Sequence, residues 1–345
     1  HARDLEHGGG SHHLEYVAVD LHGDLHPGEN RASEYGRRRR GRAGLRYSTR
    51  PLAGPALLQM PDEDQDLSIG QYLEDGSAIL SRISDSPRLD AELLMGLVLR
   101  KPRSYLRAWP ERELSLGQAD IFERLLRRRF AGEPISYITG VREFWSMPLR
   151  VSPHVLVPRP DTELLVEKAL ARLPSDEDTR VLDLGTGSGA VALALARERP
   201  RTRVIGVDIS HYALEVARLN ARILKIDNVE FKESNWFDAV RGEKFHVVLG
   251  NPPYVASDDP HLNRGDVRFE PRVALDAGEG GMEAFKAILD RAHNYIFRQG
   301  WLLLEHGPDQ HMPLRRLLEA QHYYDITVHQ DAEGRDRVTE CRFVE

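Results

Sequence analysis

Val181-Leu182-Asp183-Leu184-Gly185-Thr186-Gly187-Ser188-Gly189-Ala190 runs an apolar strand into a glycine-rich turn and then into alanines suited to a helix. Glycines in such a turn permit unusual φ and let a ligand approach the backbone closely. Outward from this stretch, strand and helix patterns alternate. Strand over Arg180–Leu184 is followed by helix over Ala190–Arg199, strand over Arg203–Asp208 and a helix over Ser210–Leu224 that Ser210 caps. Strands follow at Val229–Phe231 and Phe245–Leu249, then a helix over Gly281–Phe297 and a strand over Trp301–Leu304. Asp325–His329 and Val338–Val344 predict an antiparallel hairpin closing the sheet edge. This is the pattern of a doubly wound α/β sheet, mostly parallel.

The strand Phe245–Leu249 stops at Asn251-Pro252-Pro253-Tyr254. Each proline fixes φ near about −65° and has no N–H, so the carbonyls of Asn251 and Pro252 point outward without a nearby donor. With the Asn251 side-chain oxygen they form a rigid set of acceptors suited to a planar –NH2 group, and Tyr254 supplies an aromatic wall. The tip alone does not distinguish an amide from an adenine.

The spacing G-x-G-x-G at Gly185, Gly187 and Gly189 only approximates the dinucleotide fingerprint G-x-G-x-x-G. Asp208 ends a strand about 20 residues downstream, where a carboxylate accepts hydrogen bonds from ribose 2′-OH and 3′-OH groups. Together these predict an adenosine-containing ligand. Asp183, beside the loop, would repel a pyrophosphate and attract a cationic sulfonium, which points to S-adenosylmethionine over NAD. Methyl transfer from a sulfonium needs little acid–base help, so placement and desolvation should carry most of the rate. Glu305-His306 offers an acid–base pair, but its strand-end position supplies backbone partners and predicts a structural role.

The 345 residues allow two domains with real cores. A hydrophobic fraction of 41% and a charged fraction of 29% describe a soluble globular protein, with neither a membrane span nor a signal peptide visible. The single cysteine, Cys341, rules out an internal disulfide framework and fits a reducing cytosol, so a cytoplasmic location is expected. No metal site is expected. Net charge is −7. Setting aside the nine basic and ten acidic residues of the first 65 leaves 38 basic and 44 acidic, a net of −6, so no basic footprint for duplex DNA is visible.

Residues 1–65 read as a disordered extension: they hold six of the fifteen histidines, no Lys, Phe, Trp or Cys, and no sustained period. A tag remnant or an over-extended gene start accounts for them at least as well as a metal site at His12-His13 or an RNA-binding arm over Arg37–Arg42. Residues 66–132 predict a small helical domain. Ser86-Pro87 opens one helix with Leu89, Leu93, Leu94, Leu97 and Val98 on one stripe, and Ser115 caps another with Ile121, Leu125 and Leu126 along its face. Arg127-Arg128-Arg129 reads as a solvated helix end. Residues 133–160, beginning with the β-like stretch from Gly132 to Gly140, predict a hairpin linker, after which Asp161 caps a helix from Glu163 to Leu173 and the sheet domain occupies 161–345.

From about Leu67 onward the chain resembles the HemK/PrmC family of release factor glutamine-N5 methyltransferases. The resemblance rests on Arg142–Leu149, Pro158–Glu163, Asp183–Gly189, Asn251–Tyr254 and Asp266–Pro271. Asn-Pro-Pro-Tyr is shared with adenine-N6 methyltransferases; Pro158–Glu163 together with Asp266–Pro271 around it is diagnostic of the family. The resemblance implies a Rossmann-like class I methyltransferase sheet behind a helical substrate-recognition domain. It implies S-adenosylmethionine held by Gly185, Thr186, Gly187, Ser188, Gly189, Asp208, Trp236 and Asn251. It also implies that Asn251, Pro252, Pro253 and Tyr254 grip the target amide, with Asn251, Pro252 and Tyr254 serving catalysis. The family often has Asp where this chain has Asn235. The substrate it implies is the glutamine of the Gly-Gly-Gln motif of class-one peptide-chain release factors, modified by a monomeric enzyme with neither nucleic acid nor membrane as partner. The alternative, an adenine-N6 methyltransferase on DNA or RNA, would put the same tip on a flipped base but predicts a target-recognition domain and a basic groove. A scaffold without activity would not need an intact Asn251 and glycine loop.

Overall fold

A computed structural model describes residues 67–343; the extension expected over 1–65 lies outside them. Five helices open the described chain: α1 (Ile69–Leu80), α2 (Pro87–Leu99), α3 (Arg103–Ala108), α4 (Leu116–Phe130) and α5 (Ile135–Thr139). Helices α1 and α4 start alike. The hydroxyls of Ser68 and Ser115 accept from the N–H groups of Gln71 and Gln118, whose side chains return the bond to the cap backbone. Pro87 stands first in α2 as predicted, although the Ser86 side chain makes no capping bond.

The buried faces of these helices are rotated from the predicted stripes. In α2 the core side is Ala91, Leu94 and Met95, with Leu89 exposed; in α4 it is Ala119, Phe122 and Leu126, with Ile121 exposed. The cause is buried charge. Arg129 Nε donates to Asp90 Oδ2 at 2.8 Å, and Glu92 lies among Arg88, Arg103 and Arg107, so charge does not mark the solvent side. Arg129 is therefore no solvated helix end. Its Nη1 also donates to Asp266 Oδ1, 2.9 Å away in the other domain.

Residues 135–139 are helical where β structure was expected. Pro134 leads into α5, Gly140 at φ 72° ends it, and Ile138 joins the helical core. The hairpin expected in this region is formed by β1 (Val141–Phe144) and β2 (Met147–Arg150). Helix α6 (Glu163–Ala171) follows a tight turn over Pro160–Thr162. Asp161 does not cap it: Thr162 holds the cap position, and the Asp161 carboxylate meets Arg335 at 3.2 Å and Arg337 at 3.1 Å.

The remaining elements are β3 (Arg180–Leu184), α7 (Ala190–Glu198), β4 (Arg203–Asp208), α8 (His211–Leu224), β5 (Val229–Glu233), β6 (Phe245–Gly250), α9 (Glu283–Ala292), β7 (Ile296–Glu305), α10 (His311–Ala320), β8 (Tyr323–Gln330) and β9 (Asp336–Phe343). Helix α9 is shorter than predicted because Ile296 already pairs with Phe245 in the sheet. Helix α10 has no counterpart among the predicted elements. The seven strands lie in the order β5-β4-β3-β6-β7-β9-β8, with β9 antiparallel to both neighbours and the others parallel. Apolar residues alternate to both faces: Val181, Val247 and Leu303 pack on one side, and Leu182, Val248 and Leu302 on the other. Connections run outward from β3 to β5 and then return to place β6 beside β3. The loops after β3 and β6 therefore diverge at the carboxyl edge of the sheet, which opens a crevice there.

Candidate active site

The crevice is lined by Gly185 and Gly187 after β3, Asp208 at the end of β4, Trp236 after β5, and Asn251 and Pro253 after β6. The structure thus brings together residues that are dispersed along the sequence. Gly185 has φ 69°, and a Cβ built on it would meet nothing nearer than the Trp236 ring at 4.0 Å, so this backbone is bare toward the cleft. Asp208 Oδ2 accepts from Gly187 N at 2.9 Å and its Oδ1 from Ser210 N at 2.8 Å, which locks the carboxylate at the mouth. Burial raises its pKa against those N–H groups. Trp236 takes φ 53°, and Ser234 holds that turn: its hydroxyl donates to Trp236 O at 2.9 Å and accepts from Ala239 N at 3.0 Å. A non-glycine residue in this region marks a turn that its surroundings enforce.

Thr186, Ser188 and Gly189 shape the loop from behind and do not line the crevice. Thr186 Oγ1 donates to Asp183 Oδ2 at 2.6 Å, and the Ser188 carbonyl accepts from Asn220 Nδ2 at 2.9 Å. Asp183 likewise sits behind the loop, only 2% exposed, so no contact with a cationic ligand follows from its position. Leu182 and Leu184 point to the opposite sheet face. Burial pushes the Asp183 carboxyl up to about 7, against the hydrogen bonds from Thr186 and the backbone of Ala192. Below the ordinary value of 3.8 this group does not affect stability; between 3.8 and about 7 the unfolded chain ionises while the folded one resists, so stability is lost as pH rises. Asp183→Asn should therefore gain on the wild type in melting temperature between pH 4 and 7 and hold a constant lead above. A gap that does not change with pH would refute this.

At the tip, Pro252 is buried while Asn251, Pro253 and Tyr254 are half-buried. Neither the Asn251 nor the Pro252 carbonyl accepts a backbone hydrogen bond outside the strand ladders among the described residues. The Asn251 Nδ2 donates to Thr162 Oγ1 at 3.3 Å, which leaves Oδ1 as an acceptor. The Tyr254 carbonyl is held by Gln310 Nε2 at 2.9 Å, and burial, with the nearby Glu305 charge second, pushes its phenol up to about 12. His306 has the predicted structural role: it is fully buried between Gly307 O and Thr339 Oγ1, each at 2.8 Å from a ring nitrogen.

The segments that carry the family resemblance interlock around this tip. Glu270 pairs with Arg159 and accepts from Val157 N at 3.1 Å, Arg142 Nε donates to Pro158 O at 3.2 Å, and Glu163 accepts from Trp145 N at 2.8 Å. Sequence reasoning did not single out Thr162, Ile209 or the wall formed by Val273, Ala274 and Asp276, all beside or lining the crevice. Thr162 had one signal, its place inside Pro158–Glu163; Ile209 follows Asp208 directly.

The family model of the PrmC N-terminal domain matches residues 71–140, and that of the methyltransferase small domain matches residues 160–266. The release factor glutamine methyltransferase of Aliivibrio fischeri is 50% identical over 257 residues, 74% of this chain and 90% of its own length. Those of Escherichia coli K12 and Coxiella burnetii are 47% and 45% identical, covering 75% and 80% of this chain and 94% and 99% of theirs. The chain belongs to the release factor glutamine methyltransferase family. The N-terminal family model ends at the glycine that terminates α5, in keeping with α5 as part of the helical domain.

Proposed function

We propose that the chain transfers the methyl group of S-adenosylmethionine to the side-chain amide nitrogen, N5, of the glutamine in the Gly-Gly-Gln motif of class-one peptide-chain release factors. One observation carries this reading. An acceptor tip with an oriented Asn251 amide stands on the same crevice as a bare glycine loop, a carboxylate at Asp208 and an aromatic wall at Trp236. These residues would suit the cofactor: Gly185 and Gly187 would present backbone to its amino-acid end, Asp208 would accept from the ribose hydroxyls, and Trp236 would supply a face for the adenine. S-adenosylmethionine, when bound, supplies a methyl on a cationic sulfur that leaves as a neutral thioether.

The residues of the chain have the complementary task. An amide nitrogen is a poor nucleophile because its lone pair is delocalised into the carbonyl. Asn251 Oδ1 and the Pro252 carbonyl would accept its two hydrogens, raise electron density on nitrogen and align it for attack, and one of those hydrogens leaves to water as a proton once the nitrogen carries the methyl. Pro253 and Tyr254 keep the tip rigid. In this reading the helical domain, ending at Gly140, recognises the release factor, and the enzyme works as a monomer in the cytoplasm, where translation terminates.

Incubation with labelled S-adenosylmethionine and, separately, a release factor, its Gly-Gly-Ala variant and DNA tests the assignment. Label is expected on the intact release factor alone. Label on DNA, or equal label on the variant, would overturn it.

A further inference from the structure

Glu305 is the last residue of β7, is 1% exposed, and its Oε2 has no hydrogen-bond partner among the described residues. Such a group costs stability, so its presence calls for a use outside folding. In the sheet Gly250 of β6 faces Leu304 of β7, so Asn251 and Glu305 leave the carboxyl edge side by side. The hydroxyl of Thr162 and the amide of Asn251 are the hydrogen-bonding groups beside the carboxyl. Asn251 Nδ2 carries two hydrogens and Thr162 Oγ1 takes one of them, at 3.3 Å. Glu305 is not among the residues that line the crevice, which separates it from the reacting atoms.

We propose that Glu305 is a positioning residue: its carboxylate takes the second Nδ2 hydrogen of Asn251 and, with Thr162, fixes the amide with Oδ1 toward the substrate nitrogen. This rests on the methyltransferase reading above. A flipped Asn251 amide would set its own donors against the donors of the substrate –NH2. Ionised, Glu305 can only accept and excludes the flip; protonated, it can donate to Oδ1 and favours it.

The charged and titratable groups facing Glu305 are Arg337 of β9, Asp161 ahead of α6 and Tyr254 after β6. Burial pushes the carboxyl up to about 7, with Thr162, Arg337 and Asn251 opposing and Asp161 adding to the rise. Orientation should therefore be lost as pH falls through that range.

The test uses the full chain with Glu305→Gln and Glu305→Leu. Glu305→Leu should lower kcat by up to about 100-fold, with cofactor affinity and melting temperature no worse than wild type. Glu305→Gln, whose amide oxygen can still accept, should retain more activity and lose the acid limb of the pH profile. Wild-type kcat and pH profile in Glu305→Gln, or a loss of kcat that follows a loss of folded protein, would overturn the role. A second readout needs no substrate. The side-chain amide protons of Asn251, assigned by their absence in Asn251→Ala and followed by 15N NMR, should titrate near 7 in wild type and stay fixed in Glu305→Gln. An absent titration overturns the inference even if the glutamine reading is wrong, whereas a wild type that labels no glutamine but titrates normally overturns only that reading.

Discussion

Asn251→Ala is expected to cut methyl transfer by at least about 100-fold, the size of effect seen when one preorganised partner of a transition state is removed. The nucleophile offers two hydrogens, and the substitution deletes one of its two acceptors. The remaining acceptor, the Pro252 carbonyl, can hold one hydrogen but cannot fix the plane of the –NH2 group, so the nitrogen loses its alignment with the methyl. Cofactor affinity should fall by no more than about tenfold, because Asn251 gives that ligand at most one hydrogen bond, worth about 1 kcal/mol net. Gly185, Gly187, Asp208 and Trp236 remain in place. Single-turnover transfer of label, beside calorimetric cofactor binding, separates the two effects. Turnover retained at the wild-type rate would refute the grip on the amide, and equal losses in binding and rate would recast Asn251 as a cofactor residue.

The same tip shows which parts of the molecule local sequence can specify. The strand Phe245–Gly250 and its rigid end are written in consecutive residues, as are the glycine loop and the serine caps at Ser68, Ser115 and Ser210, because each depends on neighbours within a few positions. Asp161 looked like a cap by the same local logic. Its partners, Arg335 and Arg337, lie some 174 residues away in sequence and are brought near only by the final strand of the sheet. Segment 135–139 departs from its local pattern for a related reason: Ile135, Tyr137, Ile138 and Thr139 favour strands in isolation. The helical core that Ile138 enters overrides that preference. The backing of Asn251 by Thr162 belongs to this second kind, since it joins residues 89 positions apart.

Arg129 gives the strongest expected effect on stability, and for a reason that charge pattern conceals. Its side chain and that of Asp90 are each 7% exposed, and Arg129 reaches both Asp90 in the helical domain and Asp266 in the segment that leads to Glu270. Arg129→Met keeps the apolar stem but strands the Asp90 carboxylate in the interior. Breaking one side of a buried pair costs about 3–5 kcal/mol, because the partner left behind is an uncompensated charge. Urea denaturation should show that loss as a lower midpoint. Adding Asp90→Leu should recover much of it, since the double replacement removes both charges of this pair, and the two sites are in contact and cannot be additive. The double variant should still show a raised KM for the release factor: Asp266, released from Arg129, no longer ties the helical domain to the wall that continues from Glu270 through Pro271 to Asp276 along the crevice. A loss below about 1 kcal/mol in Arg129→Met, the range of exposed pairs, would mean that water reaches the pair and that other contacts, such as the bond from Arg268 to the Ala131 carbonyl, hold the two domains together.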